Sequence, residues 1–361
     1  MPRNLQRPRL ILFALVALLP LSFIPVRAQT NEAPLSSQEL VRLVYQLPKN
    51  PEKRDEVVEQ IRRRGIGFAL TDGMRGVVAS KSGNDPLLRR TLEEAERRRL
   101  NPKASALPAE TEWRELLLRS KTATLAAAAA MPDFIVKQQI TRSYALGQTN
   151  NWIPADRLTL AVSYRASMGE QYRLIAVNGL PPSKDVHEGQ NYTDVVGGST
   201  SAGEYVSILS ELFADQTQTV FKLTDTDLLR GRRALVYEFQ VRKENSQLRL
   251  KSGEQRTIAA YHGRVWIDRE NYRVLRFEYV PEPAPGFPIT AASVSIDYDW
   301  VTINERQYLL PSLAEVRMSY IQQGRPIQDR NEIRFRNYQK FGAEVKIIED
   351  VDETDLPPEK P

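Results

Sequence analysis

Ser201 is the residue whose setting comes nearest to covalent chemistry. It lies in the run Gly197-Gly198-Ser199-Thr200-Ser201-Ala202-Gly203, between Val195-Val196 and a helical stripe. A nucleophile elbow sets a serine on a strained strand-to-helix turn, with glycines two residues before and two after. Gly203 meets the second requirement, but Ser199 stands where the first glycine belongs. Ser201 and Glu204 also form the S-x-x-E spacing of a capping box, so the serine is already explained as a helix N-cap.

The other chemistry-bearing residues are few. His187 lies in a polar, loop-like stretch, and His262 sits between Tyr261 and Gly263, where a strand-end or turn role is expected. Neither has a second histidine at i+2 or i+4, so zinc spacing is missing. Thr224-Asp225-Thr226-Asp227 and Asp350–Asp355 space acids regularly, yet without the glycine and terminal glutamate of a calcium loop. They read as a surface turn and a solvated tail. The chain has no cysteine, which removes thiol catalysis, disulfides and thiolate metal sites together. No phosphate-binding glycine motif occurs. The expectation is no enzyme, no cofactor and no metal.

The basic balance is concentrated at one end. The formal charge is +5, but Arg3, Arg7, Arg9 and Arg27 fall in the first 28 residues, where no acid occurs. The remainder is nearly neutral, which speaks against nucleic acid as a partner. The arginines precede an apolar run, Leu10–Ile24, and then Val26-Arg27-Ala28. This is the order of a secretory signal peptide, 1–28, cut after Ala28. A membrane anchor needs ~20 apolar residues. A periplasmic or secreted protein with no transmembrane anchor is expected.

Residues 29–100 read as a small all-α module. Ser36 and Glu39 make a capping box, and Leu40, Leu43, Val44 and Leu47 form one apolar stripe. Asn50-Pro51, Thr71 and Asp85-Pro86 open three further helices. Arg62-Arg63-Arg64 and Arg97-Arg98-Arg99 end two of them, where cations complement the helix dipole. Both runs are expected to face solvent. Residues 101–111 are a proline-containing linker. A helix from about Glu112 to Met131 follows, with Trp113, Leu116, Leu117, Ser120, Thr124, Ala127 and Met131 on one face.

Beyond Pro132 the period changes from 3.6 to 2. Leu158–Tyr164, Leu235–Val241, Val294–Trp300, Val316–Tyr320 and Ile333–Phe335 alternate apolar with other residues, as antiparallel strands with one buried face do. Asn178-Gly179 and Asp268–Asn271 suit tight hairpins between consecutive strands. About ten strands without crossover helices exclude a parallel βαβ design. One helix interrupts them, with Tyr205, Ile208, Leu209, Leu212 and Phe213 as its apolar stripe. These five are the candidate ligand-contacting residues, and glycines 197, 198 and 203 offer a hinge. The tail, 349–361, is acidic, proline-rich and expected to be disordered.

Gly263-Arg264-Val265-Trp266-Ile267-Asp268 followed by Val274-Leu275-Arg276, then Tyr308-Leu309-Leu310-Pro311, resembles the outer-membrane lipoprotein-sorting (LolA/LolB-like) superfamily. Asn331, Ile333, Phe335, Tyr338 and Phe341 resemble the closing strand of exported acidobacterial-type members. The helical module, through Glu39-Leu40-Val41 and Arg64–Phe68, resembles a short helical unit of proteins from the same bacteria. The resemblance implies an α+β fold over 112–348, an eleven-stranded, unclosed antiparallel half-barrel with lid helices and an apolar cavity for acyl chains. The missing lipobox cysteine fits a soluble carrier rather than an anchored acceptor. The expected function is a non-enzymatic lipid- or lipoprotein-binding carrier of the envelope. An interaction scaffold with a filled β core, whose helical module docks a protein partner, is the alternative. A serine hydrolase centred on Ser201 stands third.

Overall fold

The computed structural model describes residues 32–103, 106–147, 149, 151–182, 192–199, 205 and 207–342. The leader, His187, Ser201 and the acidic tail lie outside the described residues.

Four helices make the N-terminal module: α1 (Ser37–Val44), α2 (Arg54–Arg64), α3 (Asp72–Lys81) and α4 (Pro86–Leu100). Their starts are fixed locally. Ser36 and Glu39 form the reciprocal capping box. Thr71 accepts from the Met74 N–H, and Asp85 caps α4 with Pro86 at its first position. Leu40, Val44, Val58, Ile61, Leu88 and Leu92 meet in a core of their own. Helix α5 (Glu110–Ala129) then crosses to the sheet.

Ten strands form one antiparallel sheet: β1 (Phe134–Leu146), β2 (Ile153–Arg165), β3 (Gly169–Val177), β4 (Val220–Leu229), β5 (Arg232–Val241), β8 (Ala260–Asp268), β9 (Val274–Glu282), β10 (Ile289–Ile303), β11 (Arg306–Gln322) and β12 (Arg325–Lys340). Their order is β3-β2-β1-β12-β11-β10-β9-β8-β5-β4, with β3 and β4 as unjoined edges. The half-barrel is open. Ten strands, not eleven, build it, because β6 (Arg249–Ser252) and β7 (Gln255–Ile258) pair only with each other. Each is four residues long and only Leu250 among them is buried, too little apolar surface to hold the ribbon in the main sheet. Between β3 and β4 lie α6 (Tyr192–Val196) and α7 (Ser207–Phe213).

The turns follow their residues. Asp268 Oδ1 accepts the backbone N–H groups of Glu270 and Asn271, 2.8 and 3.2 Å away, and closes the β8–β9 hairpin. Asn178 and Gly179 take the left-handed conformation of a tight turn, but it folds Leu180 back on Val177 at the end of β3 rather than joining two named strands. His262 is inside β8, exposed and 2.8 Å from Glu282. Gly263 has a steric reason: a Cβ there would come within 1.9 Å of the Glu278 carbonyl oxygen on β9.

The two faces of the sheet are solved differently. The concave face carries the large apolar core, including Phe134, Leu160, Tyr237, Phe239, Phe277 and Tyr298. The convex face carries charge, and the helical module docks there. Asp225 and Asp227, expected in a surface turn, lie on β4 and are buried. Their period-2 spacing points both carboxylates at the module. Arg98 bonds Asp225, which also lies 3.3 Å from Arg62. Arg97 reaches Asp227 at 2.7 Å, and Trp266 Nε1 donates to its other oxygen at 3.0 Å. Glu94, buried on α4, accepts from Thr226 at 2.6 Å and lies 3.3 Å from Arg233. Arg90 pairs with Glu278 over the Trp266 ring. Thus Arg62, Arg97 and Arg98 are interface residues rather than a solvated face. A charged helix end with two buried acids opposite it saves desolvation cost by pairing.

Candidate functional site

The concave face needs a cover, because an open sheet of aromatic and branched side chains would otherwise meet water. Two elements supply it. Helix α5 turns Leu116, Ser120 and Thr124 inward and is held by Tyr237 Oη, which donates to the Trp113 carbonyl at 2.9 Å. Its final turn is all alanine, and Ala127 and Ala128 line the space between it and α7. Helix α7 is the second element. Tyr205 and its residues Ile208, Leu209, Leu212 and Phe213 are all buried in the concave core. The five candidate residues are therefore brought together on one face.

Each end of this cover is fixed by named contacts. Tyr205 packs edge-on against Phe335 at 5.3 Å and near Phe134 at 5.6 Å. Phe213 stacks on Phe221 at 5.6 Å. Thr217 and Thr219 hydroxyls donate to the Glu211 and Leu212 carbonyls at 2.6 Å, satisfying orphan acceptors of the last turn. Glu211 accepts the Gln247 backbone N–H at 2.8 Å and the Tyr261 hydroxyl at 3.3 Å. Burial raises its pKa, and those two bonds oppose the rise.

The segment before the cover is clamped as well. Arg142 on β1 makes a two-pronged pair with Asp156, both bonds 2.6 Å, and donates to the carbonyls of Gly197 and Val196. Asp329 accepts the Ser199 N–H at 3.1 Å, and Asn331 donates to the Ser199 carbonyl at 2.7 Å. Tyr320 donates to Asp329, and burial beside that acid pushes its hydroxyl up to about 12. Gly198 takes a left-handed φ of +72°, and a Cβ there would meet Arg142 at 2.9 Å. Gly197 and Gly198, expected as part of a hinge, are thus pinned; Gly203, the third glycine of that expectation, lies outside the described residues.

Between α5, α7 and the sheet lies a crevice of ≈ 30 Å³. Ala127, Ala128 and Met131 line it from the end of α5, Leu209 and Ser210 from α7, and Arg273 and Val274 from the start of β9. The space admits water-sized occupants and no acyl chain. Loading a chain requires the cover to move.

Residues quoted for the resemblance have physical roles. Val265 and Ile267 face the concave core, Trp266 faces the module, and Arg276 pairs with Asp297. Ile333 and Phe335 face the core, and Tyr338 donates to the Pro311 carbonyl at 2.7 Å. What the sequence reading passed over is Glu211, Arg142, Asp329 and Arg273; Asn331 is named there only for the resemblance. Their only signal was polarity on strands or helices whose neighbours are apolar.

The fold and cover define the class: an α+β protein built on an open antiparallel half-barrel with helices laid on its concave face. No family model and no curated protein matches the chain. Among solved structures, a DUF1329 family protein from Desulfovibrio piger is similar at a TM-score of 0.25 and 10% identity, over 62% of this chain and 95% of that one. MucB in complex with MucA(peri) gives 0.17 and 9%, over 62% and 98%. The MucA/MucB complex of Pseudomonas aeruginosa gives 0.18 and 10%, over 62% and 99%. At these scores the likeness carries no functional information. Among the described residues no helix is long and apolar enough to cross a membrane.

Proposed function

We propose that this chain is an exported, non-enzymatic carrier that holds an acyl chain of a lipid or lipoprotein on the concave face of its half-barrel. One observation carries the reading. A continuous apolar surface spanning the sheet is screened from water by a seven-residue helix and by the inward face of α5, with a crevice already between them. Energetics support exchange. Five apolar side chains of the cover contribute about 1.5–3 kcal/mol each, on the order of 10 kcal/mol together. At ~0.8 kcal/mol per buried CH₂, about twelve methylenes balance that loss. An ordinary long acyl chain can therefore replace the cover at little net cost. The leader supports export, because it has the charge, apolar run and cut site that secretion reads.

The small crevice favours the second reading, a filled core serving as an interaction scaffold. Organic-solvent extraction and titration with a fluorescent fatty acid test the carrier. Leu209→Glu separates the two. A carrier stays folded and loses bound lipid, because the helix swings out. A scaffold buries an unpaired charge, loses several kcal/mol and unfolds or aggregates. A folded protein that neither yields nor binds lipid refutes the carrier.

A further inference from the structure

The lining of the crevice includes one arginine without an acid partner. Arg273 enters β9 with its backbone fixed, its carbonyl accepting the Asp268 N–H at 2.9 Å and its own N–H donating to Asn271 at 3.2 Å. Its guanidinium is half-buried over the Trp300 ring, 5.7 Å from the centroid. Among the described residues it has no carboxylate partner. Several other arginines of the sheet do, such as Arg142 with Asp156, Arg232 with Asp268 and Arg276 with Asp297, whereas Arg165 and Arg336 share its lack of an acid among the described residues. Burial pushes the Arg273 pKa below its ordinary value, with no neighbouring acid to offset it. A cation held against apolar walls without a counter-charge is costly unless an anion arrives.

A second polar group in the same crevice is also unsatisfied. Ser210 Oγ on α7 is buried with no hydrogen-bond partner among the described residues. Among the described residues Arg273 is the only charged one lining the space; Thr124, Tyr205 and Tyr298 add hydroxyl groups, and the remaining walls are apolar. One positive charge among uncharged walls, with hydroxyl groups to assist it, matches an amphiphile with a single negative charge at its end. A phosphate monoester would bring more charge than this lining balances.

We infer that the crevice is the head-group site for a long-chain fatty acid. Arg273 takes the carboxylate, the Ser210 hydroxyl donates to it, and the chain runs beneath α7 onto the concave face. This rests on the carrier reading above and names its ligand class. A charge-assisted bond of this kind is worth about ten- to a hundredfold in affinity.

The experiment is calorimetric titration of the full-length protein with palmitate, its neutral glycerol monoester and a lysophosphatidic acid of equal chain length. Palmitate is expected to bind about ten- to a hundredfold more tightly than the ester, and each added CH₂ to tighten both about fourfold. Arg273→Gln should abolish the preference by weakening palmitate far more than the ester, Arg273→Lys should retain it, and Ser210→Ala should weaken palmitate more than the ester. Equal affinities in the wild type, or a preference that survives Arg273→Gln, overturn the inference and leave the carrier standing. Tighter binding of the lysophosphatidic acid overturns the carboxylate assignment. Failure of all three ligands to bind refutes the carrier itself. The wild-type comparison decides the matter even where a variant does not fold.

Discussion

Asp225→Ala tests whether ion pairs hold the helical module on the convex face. Asp225 is 4% exposed and lies between Arg98, which bonds it directly, and Arg62, whose Nε is 3.3 Å away. Burial raises its pKa while both guanidiniums lower it, so the charged form depends on those partners. Removing one side of a buried pair costs about 3–5 kcal/mol, because the other charge stays behind without compensation. The cost divides unevenly here. Arg62 keeps Glu59 at 2.9 Å and Glu238 at 3.4 Å, so its loss is small. Among the described residues Arg98 keeps only the Arg62 carbonyl, at 3.1 Å. Partial exposure of Arg98 reduces the penalty, and the expected loss is about 2–4 kcal/mol. Urea unfolding followed by circular dichroism measures it. Arg98→Met added to Asp225→Ala should restore at least half, since the stranded charge is then gone. A single variant within about 0.5 kcal/mol of wild type would refute ionic docking.

The same interface predicts the outcome of proteolysis. Cleavage within residues 101–111 of the wild type should leave two folded fragments that co-elute, whereas Asp225→Ala with Asp227→Ala should let them separate on gel filtration. Glu211 predicts a pH dependence. Its folded pKa lies above the ordinary value of about 4.5, so the folded chain binds a proton that the unfolded chain has released. Stability therefore falls as pH rises from the ordinary carboxylate range through the folded value, and is level above it. Glu211→Gln should flatten that fall in the urea midpoint, and an unchanged slope would exclude Glu211 as its source. Gly263→Ala should give insoluble or unfolded protein, because its methyl would overlap the Glu278 carbonyl; a stable, soluble variant by circular dichroism would show that β8 and β9 can part.

Much of this architecture is written in short-range pattern. The change from period 3.6 to period 2 near Pro132 marks where helices give way to sheet, because buried faces of each element recur at its own repeat. Ser36, Thr71 and Asp85 announced helix starts through the bonds their side chains make within three residues. The stripe Tyr205 to Phe213 was legible for the same reason. The convex interface was not. Arg97 and Arg98 looked like a dipole-complementing helix end, and Asp225 and Asp227 like a turn, because each cluster makes sense alone. Their pairing spans about 130 residues and depends on strand order, which no local rule fixes. The i,i+2 acids inside a strand-period segment were the available signal. Arg273 was less legible still: an arginine without an acid becomes visible only after its neighbours' partners are placed.

The two coverings of the sheet obey different physics, and this decides which one can be exchanged. On the convex face the module is held by directional pairs such as Arg97–Asp227 and Thr226–Glu94, each needing its own partner at its own distance. No generic ligand reproduces that set, and breaking it strands buried charge. On the concave face α7 is held chiefly by area. The hydrophobic effect is non-directional and roughly proportional to apolar surface removed from water. Any flexible apolar chain of similar area can take the place of Leu209 and Leu212. The polar bonds that do bind the cover lie at its margins, through Arg142 and Asn331 before it and Glu211 and Thr219 at its C-terminal end. They tether the segment and leave the middle of the helix to area alone. On the proposed carrier reading, this division is what would keep the module fixed while the concave face exchanges one apolar occupant for another.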